Sequence, residues 1–219
     1  FDLWEGELDA FKEIPELLEI MKPYLYESDG ALVCDVKKED DNKPIPPLMV
    51  IKNDGATIYA TRDLGTILSR IKRFPLDEIW YVVDDRQSLY FEQVFRASYK
   101  TKLVSDNLKL VHYGFGTING NDGKPYKTRD GGVMNLEDLI KLSKDEVRKT
   151  MPKAEEVSGY TQTQIDKMTD EIAIAAIKFQ DLKNSIASGY IFSLEDFARF
   201  DGKTGPYIQY AIARIDSVM

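Results

Sequence analysis

Two lysines and an arginine stand close together in the run Lys124-Pro125-Tyr126-Lys127-Thr128-Arg129, which has glycines on both sides. Cationic side chains on a flexible backbone can close over a polyphosphate and neutralise the charge that develops on it during a reaction. The run lacks the Gly-Lys-Ser/Thr ending of a P-loop, which excludes a Walker-type NTPase. Taken alone, such a run is more often a solvent-exposed basic hairpin tip, so a phosphate site needs support from the rest of the chain.

A second candidate group consists of Tyr59 and Asp63, a phenol and a carboxylate four residues apart. An ionised carboxylate is the natural bidentate partner of a guanidinium group. We predict that a strand ends and a helix begins between them, so that both side chains can reach one pocket. Taken alone, such residues are more often a core aromatic and a helix cap. Gln87, at the start of a later predicted helix, would lie beside the same crevice.

The chain contains one cysteine, Cys34, and one histidine, His112. An intramolecular disulfide, a thiolate metal cluster and any site that needs two imidazoles are therefore excluded. Cys34 lies in the apolar run 31–34, which predicts a buried structural thiol. His112 lies in the apolar run 110–113, which favours a packed core imidazole over a catalytic base.

The elements that must position these residues alternate between strand and helix. We predict helix Ile14–Lys22, strand Ala31–Val36, a hairpin of Leu48–Lys52 with Thr57–Thr61, helix Asp63–Ile71, a fully buried strand Glu78–Val83, helix Gln87–Tyr99 and strand Leu108–Tyr113. This order is typical of an α/β doubly wound parallel sheet, in which ligands bind at the carboxyl ends of the strands. Helices predicted at 136–149, 164–180 and 207–219 make the last third all-α.

The overall charge argues against nucleic acid when it is taken alone. The formal net charge is −8, whereas phosphate binding needs local positive charge. The objection weakens if the chain is part of a larger protein with basic surfaces elsewhere.

No apolar run approaches the ~20 residues of a membrane span, and no signal-peptide pattern opens the chain.

Taken together and in order, five segments resemble the arginyl-tRNA synthetases, a family of class I aminoacyl-tRNA synthetases. The segments are Tyr26–Ala31 (YESDGA), Asp54–Asp63 (DGATIYATRD), Tyr81–Gln87 (YVVDDRQ), Lys124–Arg129 (KPYKTR) and Gly205–Ile215 (GPYIQYAIARI). The fourth is similar to the form in which many bacterial members carry the class I "KMSKS" loop. The last resembles the opening helix of the anticodon-binding bundle. The resemblance implies the second half of a class I Rossmann-like sheet, followed by an all-α segment.

For the amino-acid substrate, the resemblance implies an arginine–tRNA ligase. Asp63 would pair with the guanidinium of L-arginine, with Tyr59 beside it, and Gln87 would contact the amino-acid end. Glu7, in the "GES"-like Gly6-Glu7-Leu8, would be a second carboxylate near the guanidinium. Two carboxylates around one guanidinium would also select against lysine, which cannot form a forked pair.

For the nucleotide, the resemblance implies that Lys127 and Arg129 are catalytic, holding the ATP phosphates while the arginine carboxylate attacks the α-phosphorus. The implied ATP-binding set is Lys124, Lys127, Thr128, Arg129 and His112. Arginyl-adenylate would form and tRNA(Arg) would then take the arginyl group. Mg²⁺ would accompany ATP, no cofactor would be tightly bound, and a cytoplasmic monomer without a membrane partner is expected.

Three residues depart from the family pattern. Leu8 replaces the serine usual after Gly-Glu, which weakens the assignment of Glu7. Tyr90 stands where many members have histidine. Thr128 takes the place of the second lysine of "KMSKS", so part of the phosphate charge must be met elsewhere.

The resemblance also predicts a domain division. Residues 1–28 would end an inserted segment, 29–158 would be the catalytic domain with its "KMSKS"-like loop at 123–132, 159–204 a helical linker, and 205–219 the first anticodon-domain helix. The chain has no "HIGH" motif, so we expect that motif upstream of Phe1 and no useful adenylate formation by this fragment alone.

Two alternatives stay open. Another class I synthetase or nucleotidyl transferase is disfavoured by the cation-binding character of Tyr59 and Asp63. A non-catalytic synthetase-like interaction module fits the acidic balance.

Overall fold

The protein is described by a computed structural model that covers residues 2–120, 122–124, 135–153, 156, 159–191, 193 and 201–219. The chain divides into two compact units, Phe1–Gly114 and Phe115–Met219. They are called unit 1 and unit 2. The predicted domain division at 28, 158 and 204 stays a prediction.

Unit 1 alternates helices with short strands. Its elements are a 3-10 helix Glu7–Glu13, α1 Ile14–Met21, a 3-10 helix Lys22–Tyr24, β1 Leu25–Ser28, β2 Ala31–Cys34, β3 Leu48–Ile51, α2 Tyr59–Arg73, β4 Glu78–Asp84, a 3-10 helix Asp85–Gln87, α3 Ser88–Lys100 and β5 Lys109–Phe115. The mixed α/β class expected from the sequence is confirmed.

The first three strands form an antiparallel sheet in the order β1-β2-β3. The turn between β1 and β2 is Asp29-Gly30, and both residues have positive φ, 51° and 80°. A two-residue turn of this kind returns the chain directly, so the strands it joins are antiparallel. The sequence had predicted the strand that begins at Ala31, but not β1 or this antiparallel arrangement.

The predicted strand Thr57–Thr61 is wrong. The turn before it exists, since Gly55 has φ of 81° and its N–H donates to the Lys52 carbonyl at 2.9 Å. Only Thr57 then pairs with β3, in an isolated bridge to Ile51, and α2 begins at Tyr59. Thr61 explains the early start: its Oγ1 accepts from the Ile58 N–H at 3.3 Å and donates to the Val50 carbonyl.

Strands β4 and β5 pair in a second sheet and run parallel. At their beginnings the Lys109 N–H donates to the Asp77 carbonyl at 2.9 Å, and at their ends Gly114 lies against Asp85. β4 is half-buried rather than fully buried as predicted. Ile79 and Tyr81 face the core, whereas the alternate side chains Trp80 and Val82 are 58% and 59% exposed. The hydrophobic run therefore obeys the two-residue period of a sheet with one covered face.

One continuous hydrophobic cluster joins both sheets and all three α-helices of unit 1. Its fully buried side chains include Leu17, Met21, Val50, Leu64, Ile67 and Val94. Cys34 is among them, as predicted, and burial raises the pKa of its thiol. The cluster fixes α2 and α3, the two helices that carry the candidate site.

The described part of unit 2 is mainly helical. It contains β6 Ile118–Asn119, α4 Leu136–Thr150, α5 Gln162–Leu182, β7 Tyr190–Ile191 and α6 Gly205–Asp216. The three predicted helices are confirmed. The all-α prediction missed β7, which pairs in parallel with β6. No helix in the described ranges is long and apolar enough to cross a membrane.

Candidate functional site

The candidate site in unit 1 is built on helix α2. Tyr59 and Asp63 are four residues apart on this helix, a spacing that places both side chains on one side. Tyr59 is 67% exposed, whereas Asp63 is half-buried. Asp63 lies one turn inside the helix, so its predicted role as the helix cap is wrong. The carboxylate is consequently available for a partner other than the helix end.

Tyr90, on α3, donates its hydroxyl hydrogen bond to the Asp63 carboxylate. The two residues are 27 positions apart in the chain, and only the packing of α2 beside α3 brings them together. Sequence reasoning noted Tyr90 as a departure from a family pattern but did not place it in the site.

An aromatic group lies behind this carboxylate. The ring of Tyr81 is 4.9 Å from that of Phe91 and 5.5 Å from that of Phe95, measured between centroids. Burial raises the pKa of Tyr81 to about 12; the Arg70 guanidinium over its ring opposes this shift and the negative charge of Asp63 adds to it. Asp63 therefore lies near a buried aromatic cluster. The local dielectric constant is low there, so an ion pair is stronger than in water.

Arg62, next to Asp63, holds the N-terminal segment against α2. Its guanidinium carbon lies 5.4 Å from the ring centroids of both Phe11 and Tyr59, a cation–π arrangement. Gly65 lies beside the same segment, and a Cβ there would make an ordinary contact of 3.4 Å with the Ala10 carbonyl oxygen. Neither Arg62 nor Gly65 was identified as a site residue from the sequence. The Arg62 guanidinium thus lies between the Phe11 and Tyr59 rings and links them.

The same segment carries Glu7, the predicted second carboxylate. Two ion pairs join the N-terminal segment to α2. Lys72 lies 2.8 Å from Glu13, and Arg73 lies 2.6 Å from Glu5. The backbone of Glu7 begins the 3-10 helix Glu7–Glu13. Its side chain lies outside the described part of the structure, so its predicted role stays a prediction.

Gln87 ends the 3-10 turn that leads into α3 and is exposed. Asp84 builds this turn: its carboxylate accepts from the Arg86 N–H at 2.8 Å and from the Arg86 guanidinium at 2.7 and 2.8 Å. The side-chain bond from Arg86, followed by the backbone bond, lowers the pKa of Asp84 to about 2. A side chain at Gly114 would collide with Asp85, so the ends of β4 and β5 meet at this turn.

His112, on β5, is a packed imidazole, as the residue pattern alone indicated. Its ring stacks on Phe91, with centroids 5.4 Å apart and an interplanar angle of 13°. Its Nε2 is buried and has no hydrogen-bond partner among the described residues. The ATP contact implied for it by resemblance is not tested by this geometry.

Most of the predicted phosphate loop lies outside the described residues, including Lys127, Thr128 and Arg129. Lys124 is described and lies in unit 2. Its N–H donates to Asp122 Oδ1 at 3.0 Å, its carbonyl accepts from the Gly120 N–H at 2.8 Å, and its side chain is exposed. The predicted roles of these four residues stay predictions.

Comparisons with known proteins agree along the chain. Residues 5–194 match the model of the class I tRNA synthetases (R), catalytic domain. Over its whole length the chain is 48% identical to an arginine–tRNA ligase of Alkaliphilus oremlandii and 46% identical to one of Agathobacter rectalis. It spans 37% and 38% of those two proteins.

Solved structures show the same fold. The arginyl-tRNA synthetase of Plasmodium falciparum superposes with a TM-score of 0.78 at 26% identity, covering 99% of this chain and 35% of that one. The Thermus thermophilus arginyl-tRNA synthetase has a TM-score of 0.70 at 19% identity, covering 98% of this chain and 41% of that one. Since the family model matches most of its residues, the chain belongs to the arginyl class I tRNA synthetases.

Proposed function

We propose that the protein to which this chain belongs is an arginine–tRNA ligase. The observation that carries the proposal is the match of the entire chain, at 46–48% identity, to proteins of that name. Because the chain spans just over a third of those relatives, the activity is proposed for the longer protein, which would also contain the remainder of the nucleotide-binding fold.

The arginine end of the reaction is assigned to unit 1. Asp63 pairs with the substrate guanidinium, and Tyr59 lies against its side chain. The half-buried position of Asp63 beside buried aromatic rings supports this role, because a guanidinium–carboxylate pair gains strength when water is excluded. Gln87 contacts the amino-acid end, and Glu7 supplies the second carboxylate.

ATP is assigned to Lys127 and Arg129, with Lys124, Thr128 and His112 as further contacts. Mg²⁺ arrives on the ATP phosphates. Among the described residues, no group of three or more carboxylate, imidazole or thiol side chains could hold a metal ion. A magnesium ion that keeps its phosphate ligands and several waters needs no such cluster.

In the proposed reaction the arginine carboxylate oxygen attacks the α-phosphorus of ATP, and pyrophosphate leaves. A hydroxyl of the terminal ribose of tRNA(Arg) then attacks the carbonyl carbon of the adenylate, and AMP leaves. The protein contributes alignment of the two reactants and stabilisation of the charge on the phosphates. We also propose that the protein is a cytoplasmic monomer and that the domain boundaries in this chain fall at residues 28, 158 and 204.

The test is arginine-dependent ATP–pyrophosphate exchange by the full-length protein. Asp63→Asn should raise the arginine KM by roughly two orders of magnitude, since removing one partner of a desolvated charge pair costs about 2–5 kcal/mol. The KM for ATP should stay unchanged. Asp106→Asn is the matched control, because its exposed carboxylate is 3.6 Å from Lys102 on the surface.

The outcomes separate the activity from the site. No arginine-dependent exchange by the unaltered protein would contradict the activity. Normal exchange with an unchanged arginine KM in Asp63→Asn would leave the activity standing and remove Asp63 from the site.

A further inference from the structure

We propose that Tyr90 is a positioning residue that orients the Asp63 carboxylate toward a planar guanidinium and thereby contributes to the choice of arginine. This inference rests on the proposed function. The observation behind it is the hydrogen bond that the Tyr90 hydroxyl donates from α3 to Asp63 on α2.

The phenol is itself held in place. Its ring meets the ring of Phe91 edge-on, with centroids 5.2 Å apart and an interplanar angle of 76°. Phe91 is buried between Tyr81 and Phe95 in the main core of unit 1. Because the core fixes the ring, the hydroxyl is a donor at a set position, and the carboxylate that accepts from it loses rotational freedom.

A phenol suits this task chemically. It is a neutral donor, so it orients the carboxylate without cancelling the negative charge that a cationic substrate needs. A cationic side chain in its place would compete with the guanidinium. The two parallel hydrogen bonds of a guanidinium–carboxylate pair also require a particular plane of the carboxylate, whereas a lysine ammonium is a point charge that follows a displaced oxygen.

The test compares Tyr90→Phe with Tyr99→Phe in the full-length protein. Both variants lose one hydroxyl from α3, but the Tyr99 hydroxyl donates to the Leu108 carbonyl at 2.8 Å and accepts from the Leu110 N–H at 3.0 Å. Tyr99→Phe should lower the thermal unfolding midpoint and leave the arginine KM unchanged. Tyr90→Phe should raise the arginine KM about tenfold, the loss expected for one hydrogen bond to a charged group, with the ATP KM unchanged.

A double-mutant cycle shows whether Tyr90 acts through Asp63. In the Asp63→Asn background, Tyr90→Phe should change the arginine KM by less than about twofold, because the group it orients has lost its charge. An unchanged KM in Tyr90→Phe alone, or an equal rise in both backgrounds, would overturn the proposal. A lack of arginine-dependent exchange in the unaltered protein would instead overturn the proposed function.

Discussion

The two units of the chain bury their apolar side chains differently. Unit 1 has one continuous cluster that includes residues of β2 to β4 and of all three α-helices. In the described part of unit 2, buried apolar residues form two small groups, Leu139 with Ala176 and Val147 with Ala173, and Ile165 is buried outside both. Among the described residues, the buried clusters of unit 2 are therefore smaller than the single cluster of unit 1, which contacts its helices from several sides.

Unit 2 relies more on helix ends and on close backbone approach. Asn135, Thr161 and Thr204 cap α4, α5 and α6 through side-chain oxygens that accept backbone N–H bonds. At the start of α6, Gly205 lies directly on the backbone of Ala175. A carboxylate keeps a defined orientation where the helices that carry it are well packed. Asp63 and Tyr90 lie on α2 and α3, which both pack in the large hydrophobic cluster of unit 1.

A matched pair of substitutions tests this contrast with the largest expected effect. Val50 in β3 and Val147 in α4 are both fully buried, one in each unit. We expect Val50→Ala to reduce the unfolding free energy of unit 1 by roughly 2–3 kcal/mol, from the lost methyl groups and the cavity left in a rigid core. Val147→Ala should cost about 1–2 kcal/mol, because a small cluster can relax and alanine favours a helix.

Amide hydrogen exchange measured by mass spectrometry reports both changes, since protection of β3 and of α4 is followed separately. Equal losses of protection in the two variants would break the contrast. A larger loss in Val147→Ala would reverse it.

A smaller effect is expected from Gly205→Ala. A Cβ at this position would lie 2.5 Å from the Ala175 carbonyl oxygen and 2.8 Å from its carbon, so the backbones of α5 and α6 must separate. Overpacking of this kind costs roughly 1–3 kcal/mol. Hydrogen exchange in α6 should rise, while β3 stays protected. Gly6→Ala is the control, because nothing lies within 4 Å of a Cβ there; equal behaviour of the two variants would show that the close approach is unimportant.

The smallest effect concerns ion pairs and disappears in acid. Asp41 and Arg96 are 2.7 Å apart with both side chains largely covered, and the bond from Arg96 lowers the pKa of Asp41 to about 2. A lowered pKa stabilises the fold above its unfolded value of 3.8, and the contribution is lost as the pH falls toward about 2. Lys144–Asp170 in unit 2 is half exposed, and such pairs contribute little.

Unit 1 can be followed alone by tryptophan fluorescence, because Trp4 and Trp80 are the only tryptophans and both lie in it. Asp41→Asn should lower its thermal midpoint at neutral pH, and the difference from the unaltered chain should vanish near pH 2. Asp170→Asn should leave the midpoint unchanged throughout. A pH-independent difference for Asp41→Asn would contradict the assigned cause.

Helices and strands with strong periodic patterns were predictable from the sequence. The predicted helices beginning near Ile14, Gln87 and Leu136 and the strands beginning at Glu78 and Leu108 agree with the structure to within a few residues. The prediction failed at Thr57–Thr61 because β-branched residues favoured a strand, whereas the side chain of Thr61 closes the first turn of α2. Propensity lost there to a tertiary contact, the bond from Thr61 to the Val50 carbonyl.

The site was predictable in part. Tyr59 and Asp63 could be paired because their spacing in the chain is short. Tyr90 and Arg62 could not be assigned to the site, because their roles depend on which residues α3 and the N-terminal segment bring against α2.

The sequence by itself determined the α/β class, the order of most elements and the family, since these depend on local periodicity and on motifs that are read in chain order. Only the tertiary structure decided that β1 to β3 are antiparallel, that Asp63 lies inside a helix and that Tyr90 holds its carboxylate. The physical reason is that periodicity and short-range capping act within a few residues. The orientation of a charged group, in contrast, is set by side chains that meet only after the core has packed.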